Sequence, residues 1–530
     1  MLCRRRYPKV LVALVFAVAL TMSASAQETR WKELKDKAQL LYQQGQYSEG
    51  LPVAQEDLHV AEATFGASDV RVALSLNNLA LILMALGKYA DAEPLQQRSL
   101  AIQEKLRGPN HAEVAKNLDN LAQIYRAEGR YAEAEPLYKR SLAIRAKTLG
   151  PDHPDLAAGL NNLAALYDDE GKYAEAEPLL KRSLAIAEKA FGPNHAHVAT
   201  ELNNLAALYL AEGRYAEAEP LFRRSLAIEE KAFGPDSPKI ATTLNNIAEL
   251  YRTEGKYKEA VPLQKRSLAI VEKALGPDHP DVGRDSNNLA MLYENQGEYK
   301  EAEPLYKRSL AIREKALGPD HPEVAESLNN LAHLYYLQRE YAEAEPLLSR
   351  SLAITEKVLG PNHPNLGATI SILAEIYRNQ GKYSEAEPLY KQAIAIAENI
   401  PTQDRTPLVT SLNNLAELYR GQARYSEAEP LYNRALAIQE KSLGPSDPHL
   451  ATILNNLALL HIAQGNYAEA EPLCKRMLAI LENALGPDDL KVADCLEKCA
   501  ALLHQTRREQ EAQEFGSRAK AIRAKHGDQK

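Results

Sequence analysis

Side chains able to bind or react recur in this chain at one fixed interval. Asn77, Asn161, Asn203, Asn245, Asn287, Asn329, Asn413 and Asn455 each open an asparagine pair, completed by Asn78, Asn162, Asn204, Asn246, Asn288, Asn330, Asn414 and Asn456; Asp119-Asn120 takes the same place once. A side-chain amide both donates and accepts, so a row of amides can pair with the backbone of an extended polypeptide without demanding its sequence. The competing role is structural, with the same groups bonding to neighbouring helices and fixing how they stack. Histidines keep the interval too, at His111, His153, His195, His279, His321 and His363. They fall in equivalent loops, so neighbours stand ~10 Å or more apart, whereas zinc needs donor atoms at about 2.0–2.1 Å. They read as helix caps, and no metal is expected. Cys474, Cys495 and Cys499 occupy places that are apolar elsewhere, matching Tyr432, Ile453 and Leu457, and read as buried thiols. In an oxidising compartment Cys474 has either of the others as a disulfide partner. No Ser-His-Asp set, HExxH, phosphate loop or dinucleotide fingerprint is present, so neither a catalytic residue nor a cofactor is expected.

The interval is 42 residues, marked by a tyrosine from Tyr47, Tyr89 and Tyr131 through to Tyr467, with Glu509 in the twelfth place. A period of this size means stacked units that bury their apolar faces only against one another. Residues 151–192 show the unit. Pro151-Asp152-His153-Pro154 forms a loop whose Asp or His caps a helix, with Pro154 in the first turn. Leu160, Leu163, Ala164 and Tyr167 then follow the i, i+3, i+4, i+7 pattern of a buried stripe (helix A). Gly171 ends that helix and Tyr173 opens helix B, whose buried side is Ala176, Leu179, Leu180, Ser183 and Ala187. Alanine holds the place of Ala164 in every unit, where a larger side chain would force two helices apart. Asn161 lies about 100° from the stripe and shares a face with Ala165 and Asp168.

Glycine at the A–B turn, tyrosine two residues on and alanine three beyond mark the tetratricopeptide repeat. The 42-residue form here reads Leu-Asn-Asn-Leu-Ala, Gly-Lys-Tyr-Ala-Glu-Ala-Glu-Pro-Leu-Tyr-Lys-Arg-Ser-Leu-Ala-Ile and Leu-Gly-Pro-Asp-His-Pro, and resembles the repeats of kinesin light chains and their bacterial relatives over roughly residues 31–526. The resemblance implies an all-α fold, a right-handed superhelical solenoid of about twelve helix-turn-helix units, with helix A lining a concave groove that binds peptides or proteins. It also favours a ligand role for the first asparagine of each pair. Arg252, Arg284, Arg378 and Arg420, beside the amides, are expected to add selectivity. Their bland alternative is intrahelical pairing, as in Glu249–Arg252, Glu375–Arg378 and Glu417–Arg420, worth only tenths of a kcal/mol. No motor subunit is implied, because the heptad segment that joins a light chain to its heavy chain is missing.

The chain begins differently. Arg4, Arg5, Arg6 and Lys9 precede an apolar run from Val10 to Leu20, and Ala24-Ser25-Ala26 offers a small-x-small cleavage pattern. This is the layout of a secretory signal peptide cut after Ala26, giving an exported protein, periplasmic or secreted. Only an uncleaved signal would tie it to a membrane. Formal net charge is −8, and removing those four basic residues takes it to about −12, against nucleic-acid binding. The Lys-Arg pairs at 139/140, 181/182, 265/266 and 307/308 follow a glutamate by four residues and read as a solvated face. The expected organisation is a signal at 1–26, an atypical first unit at 27–68, a regular array at 69–399, an array after an irregular loop at 400–489, and a capping unit with tail at 490–530. The stretch near 399–408, preceded by Ile370-Ser371-Ile372 in place of Leu-Asn-Asn, is expected to be the weakest joint. The functional expectation is a non-enzymatic scaffold binding an extended peptide or protein. The alternatives are an assembly or envelope-complex component built by repeat stacking, and an enzyme with its site in the groove. Neither the ligand nor the oligomeric state can be read from the sequence.

Overall fold

A computed structural model describes residues 7–363, 366–399 and 405–527, with side chains from Ser25 to His526. Every regular element among them is helical: 24 α-helices and one 3-10 turn at Pro238–Ile240. The A helices are α1 (Tyr7–Gln43), α3 (Val70–Ala85), α5 (Ala112–Ala127), α7 (Leu156–Asp169), α9 (Ala196–Ala211), α11 (Ala241–Thr253), α13 (Pro280–Asn295), α15 (Pro322–Leu337), α17 (Leu366–Asn379), α19 (Thr406–Gly421), α21 (Leu450–Gln464) and α23 (Leu490–Gln505). The B helices are α2 (Tyr47–Phe65), α4 (Tyr89–Arg107), α6 (Tyr131–Leu149), α8 (Tyr173–Phe191), α10 (Tyr215–Phe233), α12 (Tyr257–Leu275), α14 (Tyr299–Leu317), α16 (Tyr341–Leu359), α18 (Tyr383–Asn399), α20 (Tyr425–Leu443), α22 (Tyr467–Leu485) and α24 (Glu509–Gly527). Among the described residues no helix is long and apolar enough to cross a membrane.

Two turn geometries impose the period. The A–B turn puts glycine at φ between 66° and 78°, as in Gly87, Gly171 and Gly465. Polar and small residues tolerate that left-handed well at a cost, and Arg339, Ala423 and Arg507 occupy it at φ 63°, 58° and 59°. The glycine after each B helix is different. Gly66 has φ 82° and ψ 154°, and Gly360 has φ 87° and ψ 163°, a region essentially closed to side chains. Among the described residues that second glycine is never replaced. Nδ1 of His111, His153, His195, His279 and His321 accepts the backbone N–H two residues on; four of these cap as expected, but α7 starts only at Leu156, so at His153 the bond holds the loop and Pro154 precedes the helix instead of lying in its first turn. The proline of helix B lies deeper than its sequence context suggests. Pro178 is the sixth residue of α8, past the unpaired N–H groups, so the Ala174 carbonyl forgoes its helical partner and faces solvent.

The described residues form two compact bodies, divided between Pro361 and Asn362. Within each, successive A helices pack on their own B helix and on the preceding one, and most touch the next A helix, so the A helices lie on the inside of the curve. The alanines at the helix crossings are fully enclosed: Ala80, Ala122, Ala206, Ala290, Ala332 and Ala374 have no exposed surface. The irregular loop falls on residues 400–404, which lie outside the described residues.

The first body also touches itself across several repeats. Ser48 Oγ donates to the Ala316 carbonyl at 3.4 Å, and His321 Nε2 meets the Ala85 carbonyl at 3.0 Å. His321 Nδ1 already accepts the Glu323 N–H, so Nε2 carries the proton and donates. Burial pushes this imidazole down to about 4, which keeps both bonds intact near neutrality. Capping alone therefore describes five histidines incompletely, since one of them also clasps a distant turn.

Asp57 stands where later repeats place Ser99, Ser141 or Ser183. It is fully buried, and neither carboxylate oxygen meets a donor in hydrogen-bonding geometry. Burial pushes its carboxyl up to about 6, the neighbouring Ser75 hydroxyl offsetting only part of this. A carboxyl with a raised folded pKa destabilises the fold above about pH 6 and ceases to do so as pH falls toward its unfolded value near 4. Asp57→Ser should therefore stabilise the first body by ~1–3 kcal/mol at pH 7.5, with the gain gone near pH 4; denaturant melts at the two pH values check this. A second pair of variants tests the turns. Gly234→Ala should cost ~1–3 kcal/mol, whereas Ala423→Gly should be neutral or stabilising by up to ~1 kcal/mol.

Candidate binding groove

The inner face of the A helices is where the amides lie, and the stack uses them first. In four places the second asparagine of one repeat donates to the first asparagine of the repeat before. Asn120 reaches Asn77 at 2.7 Å, Asn246 reaches Asn203 at 3.2 Å, Asn330 reaches Asn287 at 3.0 Å and Asn456 reaches Asn413 at 3.0 Å. Elsewhere the partner is a carboxylate or a lysine. Asn161 donates to Glu201 at 3.2 Å, Asn245 to Asp285 at 2.7 Å and Asn414 to Glu375 at 3.2 Å, while Asn455 accepts from Lys498 at 2.9 Å. Ser183 and Ser267 of the B helices donate to the same Glu201 and Asp285 carboxylates, each at 2.6 Å. A polar layer thus runs between repeats beneath the groove.

The run Asn203, Asn245, Asn287 and Asn329 is not uniform. Asn245 is 8% exposed and Asn287 1%, and both are enclosed by neighbours. Asn245 also accepts from Gln264 at 2.8 Å. Asn77, Asn161, Asn162, Asn203, Asn204, Asn246, Asn288, Asn329, Asn330, Asn413 and Asn455 are half-buried and keep a surface on the groove. At the aspartate that replaces one amide, Asp119 pairs with Arg145 of α6, and burial still holds its carboxyl above the usual range.

The arginines beside the amides are already paired. Arg252 is held by Glu249 at 2.5 Å within its own helix. Arg284 bridges Asp281 at 2.8 Å and the buried Asp285 at 3.2 Å. Arg378 reaches across to Glu417 of the next repeat at 2.8 Å, and Arg420 meets the same carboxylate more loosely at 3.9 Å. The groove therefore presents paired charges on α11 and α19. Among the described residues an exception is Asp168 on α7, whose carboxylate makes no hydrogen bond or ion pair, while its neighbour Asp169 is held by Arg126.

Two recurrent ties escaped the sequence reading. In six repeats the glutamate before the helix B proline accepts the hydroxyl of the next repeat's helix A tyrosine, 32 residues on. Tyr125–Glu93, Tyr167–Glu135, Tyr209–Glu177, Tyr251–Glu219, Tyr335–Glu303 and Tyr419–Glu387 span 2.8–3.1 Å. Val261 breaks the series, and Tyr293 lies instead under Lys265 Nζ at 5.4 Å. The Lys-Arg pairs are only half a solvated face. Lys139, Lys181 and Lys307 do pair with the glutamate four residues back. The arginine instead reaches the preceding repeat: Arg140, Arg182 and Arg266 donate to the Pro109, Pro151 and Pro235 carbonyls at 2.6–3.3 Å, and Arg140, Arg266 and Arg308 pair with Glu104, Glu230 and Glu272 at 2.5–2.8 Å. The fixed spacing of glutamate, tyrosine and arginine was the available signal.

The three cysteines are free and buried, and Cys474 is kept protonated by its contact with Cys499 and by burial. Among the described residues no His, Cys, Asp or Glu group is arranged to hold a metal ion.

The tetratricopeptide repeat profile matches this chain in nine segments from 71–147 to 449–525, overlapping except between 399 and 407. Among solved structures, the "putative kinesin light chain nearly identical TPR-like repeats" of Podosopora anserina share 31% identity, covering 39% of this chain and 98% of theirs, with a TM-score of 0.34. BtubC (BKLC) from P. vanneervenii shares 25%, covering 43% and 89%, at 0.34. A Rap protein complexed with Competence and Sporulation Factor shares 16%, covering 70% and 98%, at 0.46. Comparison with curated proteins gives no match.

The enclosed amides make a stability prediction. Asn287→Ala removes the acceptor of Asn330 from a buried site and should cost ~1–3 kcal/mol, visible in a denaturant melt. An Asn204→Ala melt should stay within about 0.5 kcal/mol of the parent.

Proposed function

The chain belongs to the tetratricopeptide repeat family, and from that premise we propose that it is a non-enzymatic scaffold whose A helices hold an extended peptide or protein segment. Repeat folds of this type typically serve protein interaction. The observation that carries the reading is a division of labour within each repeat. Residues joining repeats are nearly constant, whereas the half-exposed inner positions change from Ala165 and Ala207 to Glu249, Met291, His333 and Glu375. A surface that varies on a fixed frame is what selective binding requires. An extended chain gains ~3.3 Å per residue, so about ten residues cross three or four repeats. Export through the N-terminal segment belongs to the same proposal, with cleavage after Ala26.

A second reading, assembly of copies edge to edge, is favoured by one observation. Leu149, Phe191, Phe233 and Leu275 end their B helices exposed, yet their counterpart Leu317 is 5% exposed where the first body touches itself, beside Leu86 and Gly87. Sedimentation velocity separates a monomer from such an assembly.

The main reading is tested by panning random decapeptides on the full chain. Peptides should be retained, and Ala207→Trp, which blocks the inner face of α9, should cut retention at least tenfold with an unchanged melt. Equal retention by the blocked variant would remove the groove from binding.

A further inference from the structure

The inner positions of α7 and α9 are both alanine, and the groove opens there into a cavity of about 290 Å³. Ala165, Asp168, Asn161, Asn204 and Ala207 line it. Two repeats further on, the equivalent residues are Glu249, Arg252, Asn245, Asn288 and Met291, and the space shrinks to about 20 Å³. The protein fills that second place itself: Arg252 takes the position of Asp168 and is neutralised by Glu249 at 2.5 Å. In the first place the charge is reversed, and no hydrogen bond or ion pair neutralises it, since Arg126 is bonded to Asp169.

Two acceptors in the open cavity lack partners. Asn161 gives its Nδ2 to Glu201, and its Oδ1 has no partner but is itself buried, so a ligand N–H meets it after a small rotation of the amide. Asp168 makes no hydrogen bond or ion pair, and its carboxyl is pushed up to about 6 by burial and by Asp169, against the pull of Arg126. Seven helical residues separate the two groups, about 10 Å along the axis. A lysine or arginine side chain covers that span with a hydrogen bond of about 3 Å at each end. Its backbone N–H meets the amide oxygen and its cationic head meets the carboxylate. Methylene stems suit the alanine walls between them.

We propose that this cavity is a subsite for one basic side chain of the segment held along the A helices, with Asp168 selecting the charge. The polypeptide source of that side chain rests on the groove reading above; a free organic ammonium shares the chemistry and is separated by the test. Random decapeptides are panned on the full chain and on Asp168→Asn, whose melt should match the parent because the substitution leaves the shape unchanged. The expected result is lysine or arginine enriched at least fivefold at one register position with the parent, and that enrichment lost with Asp168→Asn while peptides are still retained. Retained peptides with no basic preference, or a preference that survives the substitution, would overturn the subsite and leave the groove reading standing. If neither protein retains peptides, the groove reading falls, and n-butylammonium chloride at 10 mM decides the subsite against equal sodium chloride. A rise in Tm of the parent but not of Asp168→Asn would keep it as a small-amine site; equal behaviour would end it.

Discussion

A hairpin of two helices has no interior of its own, and every other feature of this chain follows from that. Helix A buries one stripe on its own helix B and another on the repeat before it, so each unit is half of two cores. The enclosed alanines set how closely the helices approach, and the Tyr–Glu ties, such as Tyr209 to Glu177 at 2.8 Å, fix the register. Each tie joins a hydroxyl to a carboxylate at a half-buried seam and contributes on the order of 1 kcal/mol. One is minor; repeated along the array they make a shifted stacking costly at many interfaces at once.

That constraint also decides which residues are free to do anything else. The glycine after helix B must reach a backbone region closed to side chains, the arginine of helix B must hold the loop behind it, and most first-position amides must meet the next repeat. What remains is a narrow strip on the inside of the A helices. The strip varies in size and charge because the frame does not use it. Where two alanines coincide, at Ala165 and Ala207, the strip has depth, and Asp168 gives that depth a sign.

The period, the helices, the enclosed alanines and the capping histidines were legible because each depends on neighbours within one helical turn or on plain recurrence. The role of the amides was not. Asn287 and Asn161 carry the same side chain at the same phase of the helix, yet one is enclosed and the other opens on a cavity. The difference is set by residues about 40 positions away, in particular whether Asn330 or Glu201 stands opposite. The Lys-Arg pairs were misread for a related reason. Their spacing from glutamate is real within the helix, but the arginine's partners lie in the preceding repeat, a glutamate 36 residues back and a loop carbonyl 31 residues back, as with Arg140, Glu104 and Pro109. Helix-surface rules describe pairs on one helix and are silent about a loop folded over from another repeat.

The central claim is that constant residues build the stack while the inner strip of the A helices binds. Hydrogen-exchange mass spectrometry on the full chain, with and without a decapeptide selected on it, tests this most directly. The account predicts added protection in 156–169 and 196–211, with the loops after the B helices unchanged. Protection gained instead at those loops or on the B helices, with the inner strip unaltered, would contradict it.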